Sequence, residues 1–352
     1  MDKTYFNSRE TRFSPWIALV VLLTFLIALF TSNAKAAVDE PAPPPQECKL
    51  NFATGPKGKG YSVTYSNIAS MCGQQVPTCE VATSGGLDNL MALSQNTADI
   101  GLVQVDTLKD MSASDGSLAN LQVVATTGFN LLHIVTLSNG FDVTSTKTVK
   151  GAWYQLGDQK VKEVSNQRIA NFSDFKNVKY PVALVGTAKL MGRSLDRTYG
   201  YGLQFVDYDN DQQALNDLKA GKVWAVMTVS AWPNGALANA TSSSGYTLVK
   251  FDLQPFGNYV IMKKPYPKMN VYGMPFLAVP NVLVTRPFRA DGPNGRNLSA
   301  LQSCIVNHMS DLKEGSYAPS WKDVDNPLNN FGLKAFVPSG TYVAPSMARK
   351  KR

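Results

Sequence analysis

The chain has 352 residues, 44% of them hydrophobic, and a formal net charge of +8. This apolar content supplies a core for each of two ordinary domains. The positive excess is thinly spread outside the terminal Arg349-Lys-Lys-Arg352, which argues against nucleic acid and is compatible with an anionic small ligand or an acidic membrane face. Two histidines and the lack of any Cys-x-x-Cys argue against a metal site, and no cofactor is expected.

The first residues carry basic Lys3, Arg9 and Arg12, then an unbroken apolar run from Trp16 to Phe30, then Ala34-Lys35-Ala36. The run is shorter than the roughly 20 residues that span a bilayer. It reads as a secretion signal cleaved after Ala36, which sends the protein to the periplasm. A proline-rich linker at 37–46 follows. The four cysteines, Cys48, Cys72, Cys79 and Cys304, suit an oxidising compartment. Four cysteines allow three connectivities. The one expected joins Cys72 to Cys79 across a turn containing Gly73 and Pro77, and Cys48 to Cys304.

In chain order, 48–53 reads as a strand, 61–71 as a helix and 80–83 as a strand. A helical stripe covers 87–94, with strands at 100–105, 121–126 and 131–137. The segment 147–171 is polar and poorly periodic, an insertion. The pattern then restarts: strand 182–185, helix 188–199, strand 204–206, helix 211–220, strand 223–229. After Lys250 the chain is rich in Pro, Tyr and Met and reads as irregular up to Val279. A strand at 281–285 and a helix at 299–313 return it to the first half. Two successive βαβ blocks predict an α/β protein with two lobes, each a mostly parallel sheet flanked by helices. Lobe 1 is expected over 47–138 with 279–340, lobe 2 over 139–278, and a basic tail at 341–352.

Three strand-to-helix turns carry the polar residues. Phe52-Ala-Thr-Gly55-Pro-Lys-Gly58-Lys-Gly60-Tyr61 precedes the first helix, where glycines admit close backbone approach and a helix N-terminus favours negative charge. The glycine spacing fits neither a P-loop nor a dinucleotide fingerprint. The other two turns are Thr83-Ser84-Gly85-Gly86 and Val103-Gln104-Val105-Asp106. In open α/β sheets ligands sit at the carboxyl ends of strands, so all three are expected at one crevice. Helix capping by Ser84 and Asp106 is the plainer reading of the same residues.

Thr54-Gly55, Gly60-Tyr61, Thr83-Ser84-Gly85-Gly86 with Asn89, and Ala98-Asp99-Ile100-Gly101-Leu102-Val103-Gln104 occur here in the order found in one group of proteins. So do Asn171-Phe-Ser-Asp-Phe-Lys176, Leu218-Lys-Ala-Gly-Lys-Val-Trp-Ala-Val-Met227 and Val279-Pro-Asn-Val-Leu-Val-Thr285. From about 48 to about 335 the chain resembles the TAXI-type solute-binding proteins of TRAP transporters, a branch of the type II periplasmic binding fold. The resemblance implies a clamshell that closes on a small carboxylate-bearing, amino-acid-like solute and delivers it to a TRAP permease in the membrane. Its ligand-contact positions map onto Thr54, Gly60, Tyr61, Ser84, Gly85, Gln104, Gly186 and Thr187. The second-lobe loop, Val185-Gly-Thr-Ala-Lys-Leu-Met-Gly192, departs from the family in having fewer Gly, Pro and Ser residues.

Lys189 and Arg193 lie four apart on one helix face and are candidates for a ligand carboxylate, against the alternative of a solvated face. Trp232 is a candidate for the cleft floor or for the core. His133, inside an apolar strand, reads as a core histidine. No nucleophile or metal motif appears, so a monomeric receptor rather than an enzyme is expected. The alternatives are a diverged clamshell serving an envelope assembly, a binding protein of an ABC transporter, and a secreted enzyme on the same fold.

Overall fold

The computed structural model describes residues 47–150, 157–237 and 241–338. The expected cleavage point after Ala36, the linker at 37–46 and the basic tail at 341–352 lie outside them.

From the amino end come β1 (Leu50–Ala53), α1 (Gly60–Cys72), β2 (Thr78–Val81), α2 (Gly86–Ser94), β3 (Ile100–Gln104) and α3 (Val105–Ser114). Strand β1 pairs in parallel with both β2 and β3. All residues of β3 are buried, as expected of a strand covered on both faces.

Next is β4 (Gln122–Leu137), one continuous strand where the sequence suggested two. Gly128 sits at its middle with φ +141° and Ser320 against it; a Cβ there would lie 2.8 Å from that of Ser320. Glycine lets the strand pass that close, and it hid the continuity of the strand from a propensity reading.

Of the segment expected to be an irregular insertion, 147–149 and 159–167 lie in an antiparallel ribbon of β5 (Phe141–Val149) and β6 (Gln159–Gln167) outside the main sheet. Its register sets Thr144 opposite Val164 and Lys147 opposite Val161. β-branched residues favour such an extended ribbon even when it is solvated and lacks the buried face that makes a strand readable.

The second wing follows: β7 (Val182–Val185), α4 (Ala188–Tyr199), β8 (Phe205–Tyr208), α5 (Asp211–Lys219) and β9 (Ala225–Ser230). Strand β7 pairs in parallel with β8 and β9. Asn210 caps α5, its side chain accepting from the Gln213 N–H.

Then come β10 (Tyr246–Leu248), β11 (Val260–Tyr266) and β12 (Val271–Thr285). The stretch after Lys250 is therefore an antiparallel hairpin in large part, against expectation. Pro265, Pro275 and Pro280 masked its alternation. Pro275 still contributes a carbonyl, which accepts from the Phe251 N–H at 3.1 Å. The last helical segment divides at His308 into α6 (Pro293–Asn307) and α7 (Met309–Glu314).

The main sheet runs β2-β1-β3-β12-β4-β9-β7-β8, with β10 on β4 and β11 on β12. Two parallel wings thus flank an antiparallel centre, and the α/β class with two lobes is as expected. One apolar cluster gathers Phe172, Phe175, Leu184, Met191 and Trp224 with Phe251 around the second wing. Two others flank the first: Phe52, Ile68 and Leu102 with Trp321, and Leu90, Leu93 and Val103 with Val282.

The disulfide pairing corrects the expectation. Cys48 bonds Cys79, and Cys72 bonds Cys304, with Cα separations of 5.5 and 5.9 Å. Cys79 lies on β2, which the β1 register places alongside the strand that Cys48 precedes. Cys72 ends α1, and that helix packs on α6, which carries Cys304. Sheet pairing and helix packing, rather than nearness in sequence, selected the partners.

Candidate binding cleft

The carboxyl ends of the first three strands are tied together by Asn89 on α2. Its amide donates to the carbonyls of Thr54 at 2.5 Å and Leu102 at 2.7 Å, and its Oδ1 accepts from the Thr83 hydroxyl at 2.6 Å. Asn89 is wholly buried, and an amide with both donors and an acceptor satisfied holds three strand ends in one arrangement. The turn that follows has Gly85 at φ +142°, a conformation open to glycine. It delivers the first turn of α2 with no side chain capping its N–H groups.

The second lobe supplies a matching element. Gly186 and Thr187 lead into α4, whose first turn is likewise uncapped by any side chain. The two helix N-termini border one cleft of about 390 Å³, lined by Ser84, Gly85, Gly86, Thr107, Gly186 and Thr187 among others. At α2 no side chain caps the first turn, although the Asp88 carboxylate lies in it; at α4 the Lys189 and Leu190 N–H groups already donate to the Gly186 and Thr187 carbonyls at 3.2 and 3.3 Å, so it is the helix dipole that favours an anion at that border. Asp88, Asp110 and Lys189 also line the cleft.

Beside it, around an adjoining cavity lined by Asp106, Lys109, Asn258 and Tyr259, the lobes touch through polar side chains. Gln104 Nε2 lies 3.4 Å from Thr187 Oγ1. The Tyr259 hydroxyl donates to Asp106 Oδ2 at 3.0 Å, and Lys109 Nζ donates to Asn258 Oδ1 at 3.0 Å and, within its own lobe, to the Phe331 carbonyl at 3.1 Å. Burial pushes the Asp106 carboxyl above the usual carboxylate range, while its bonds from Tyr259 and Thr107 pull the other way. Burial, and then the nearby Asp106 charge, raise the Tyr259 and Tyr61 phenols.

Of the residues expected at the site, Ser84, Gly85, Gly186, Thr187 and Lys189 meet at the cleft. Gln104 does not line the cleft but reaches Thr187 at its border. Thr54 is wholly buried and its hydroxyl bonds Glu80 Oε1 at 2.7 Å, so it supports the turn from behind. The Ser84 hydroxyl donates to Asp88 and closes the turn on itself. Lys189 pairs with Asp209 at 3.2 Å, and Arg193 grips both oxygens of Asp207 at 2.9 and 3.0 Å. These two cations have partners inside their own lobe, and Arg193 stays on the half-exposed helix face. Gly60, Tyr61 and Trp232 line a separate chamber.

His133 is fully buried, with Nε2 2.8 Å from the Tyr266 hydroxyl. Burial drives its imidazole down to about 3 and the Tyr266 phenol up to about 12. Sequence reading did not single out Lys109, Asn258 or Tyr259, and it weighed Asp106 only as part of a polar strand-end turn at the crevice or as a helix cap. Asn258 and Tyr259 fall in the stretch that composition disguised as irregular, so nothing marked them as facing α3.

No protein-family profile matches the sequence, and no curated protein matches it. Among solved structures, the chain is similar to an amino acid ABC transporter substrate-binding protein from Streptococcus pneumoniae bound to L-arginine. That match has 13% identity and a TM-score of 0.45, covering 77% of this chain and 92% of the other. The GluR0 ligand-binding core in complex with L-glutamate matches at 12% identity and TM-score 0.45, with 78% and 99% covered. A TctC solute-binding protein from Polaromonas matches at 12% and 0.44, with 73% and 82% covered. No helix among the described residues is long and apolar enough to cross a membrane.

Proposed function

We propose that this chain is an extracytoplasmic receptor that holds a small carboxylate-bearing, amino-acid-like solute between its lobes. The closed form then serves a membrane transport component, a TRAP-type permease by the sequence resemblance. One observation carries the reading: two uncapped helix N-termini, from α2 and α4, border the same cleft from opposite lobes. A carboxylate between them accepts N–H bonds from α2 and meets the positive dipole end of α4, and so favours the closed arrangement by its differential affinity. The acidic side chains of Asp88 and Asp110 on the same rim favour a ligand that also carries an ammonium group over a dianion. Binding without chemical conversion is the assignment. The test is thermal unfolding with L-glutamate, L-aspartate, L-arginine and succinate at millimolar concentration. A saturable rise in melting temperature with an amino acid, larger than with succinate, is expected. No rise with any of the four overturns the reading.

A second reading has its own observation. Beside the cleft the two halves are joined by the protein's own contacts, Gln104 with Thr187 and Asp106 with Tyr259. A clamshell closed on itself suits a structural or partner-binding component of an envelope assembly. Unchanged closure in solution with and without the four solutes favours this alternative.

A further inference from the structure

The residues of the first glycine turn do not open on the cleft described above. Gly60, Tyr61 and Trp232 line a separate chamber of about 180 Å³, together with Asn130, Asn281 and Ser320. The Tyr61 ring is the wall between the two spaces. It packs against Gly86, where a Cβ would stand 3.5 Å from Tyr61 Cε2, and Gly86 lines the cleft. The Tyr61 hydroxyl lies 3.3 Å from Asn281 Oδ1, which fixes the wall in place.

The chemistry of the chamber differs from that of the cleft. None of its lining residues carries a formal charge, and the raised phenol keeps Tyr61 neutral. Its tryptophan is held rigid: the indole N–H donates to the Pro265 carbonyl at 3.1 Å, and Lys264 Nζ sits 5.0 Å from the ring centroid. Asn281 spends its amide on Asn130 Oδ1 at 2.8 Å. That leaves the Asn130 amide donors and the Ser320 hydroxyl without a protein partner among the described residues. A fixed aromatic surface beside unspent amide and hydroxyl groups is the make-up of a small-molecule pocket, with few polar groups to orient the ligand. The volume is below that of pockets for drug-sized ligands, roughly 300 Å³ and above, and so suits a single ring.

We propose that this chamber is a second ligand site, for a small uncharged ring with one apolar face and a hydrogen-bonding rim, such as a sugar or a nucleobase. It sits where α1, the β4–β12 crossing and the loop after β9 meet, and so touches both lobes. The proposal does not depend on what occupies the cleft.

The test titrates the full-length protein with glucose, myo-inositol and uracil, following tryptophan fluorescence and heat of binding. Saturable binding of at least one probe is expected, undiminished by saturating L-glutamate. Val63, exposed at the chamber's edge, allows a substitution that spares the core. Val63→Arg is expected to weaken the probe at least about tenfold with the melting temperature unchanged, and Ser320→Ala to weaken it several-fold. Three outcomes overturn the proposal: no uncharged probe binds, binding is indifferent to both substitutions, or L-glutamate displaces the probe.

Discussion

Gln104 and Thr187, separated by 83 positions, meet amide to hydroxyl at 3.4 Å, and the contact joins the end of β3 to the start of α4. Thr187 also lines the cleft, so this contact between the two halves sits at its border. A neutral side-chain hydrogen bond is worth about 1 kcal/mol net, roughly a fivefold shift in a two-state balance. Thr187→Val is therefore expected to open the unliganded protein measurably. Small-angle scattering, or a fluorophore pair placed on the two lobes, reads the change.

Asp106 is raised by burial, so the folded state holds its proton to higher pH than the unfolded chain does. Its contribution to stability is then greatest at low pH and falls as pH climbs from the unfolded value near 3.8 through the folded one. Asp106→Asn removes that decline while its oxygen still accepts from Thr107. The variant is expected to be more stable than the parent at pH 7, with the gain shrinking towards pH 4. Urea melts across that range measure it.

His133 has the opposite slope. Its folded value of about 3 lies below the unfolded 6.5, so the unfolded chain takes up the extra proton. The neutral ring's stabilisation is complete above about pH 6.5 and is lost as pH falls towards 3. At pH 5 the loss is on the order of 2 kcal/mol. His133→Gln is expected to flatten the fall in stability between pH 6.5 and 5, even where its stability at pH 7 is lower.

Lys264 and Asp323 form a pair at 2.6 Å with side chains only 12% and 14% exposed, linking β11 to the turn Pro319–Asp323. Removing one partner strands a poorly solvated charge, which costs about 3–5 kcal/mol. Asp323→Asn is expected to fall in that range. The double variant Lys264→Met with Asp323→Leu is expected to recover most of the loss. Chemical denaturation of the three proteins decides it.

The Cys72–Cys304 bond spans 232 positions and ties α1 to α6. Closing so long a loop constrains the unfolded chain, and losing it costs roughly 2–5 kcal/mol. Replacing both residues by Ser is expected to lower the denaturation midpoint by more than the same change at Cys48 and Cys79, whose separation is 31.

What was legible in the residues was whatever the core enforces locally. Strand β7 and helix α4 fell on their expected bounds because Val182 to Val185 is a buried run and Ala188, Met191 and Leu195 repeat at helical spacing. The hairpin of β11 and β12 was not legible. Its outer strand alternates exposed residues with half-buried ones and buries only Tyr266, and prolines sit inside the hairpin. The site divided in the same way. Ser84, Gly85, Gly186 and Thr187 sit at strand-to-helix turns, which topology brings to one edge. The partners of Lys189 and Arg193, Asp209 and Asp207, lie on or just after β8, and only the three-dimensional pairing of β7 with β8 shows that the cations are already neutralised.

Strands β4 and β12 run unbroken from one wing of the sheet to the other, bonded to each other along most of their length. A clamshell whose halves hang from flexible loops can swing freely; here the two jaws share one lamella and must bend it to part. The places where it yields are marked by Gly128 and by the register slips at Asn281/Val282 and Leu283/Val284. Parting the wings therefore strains the sheet's own backbone instead of a loop between two bodies.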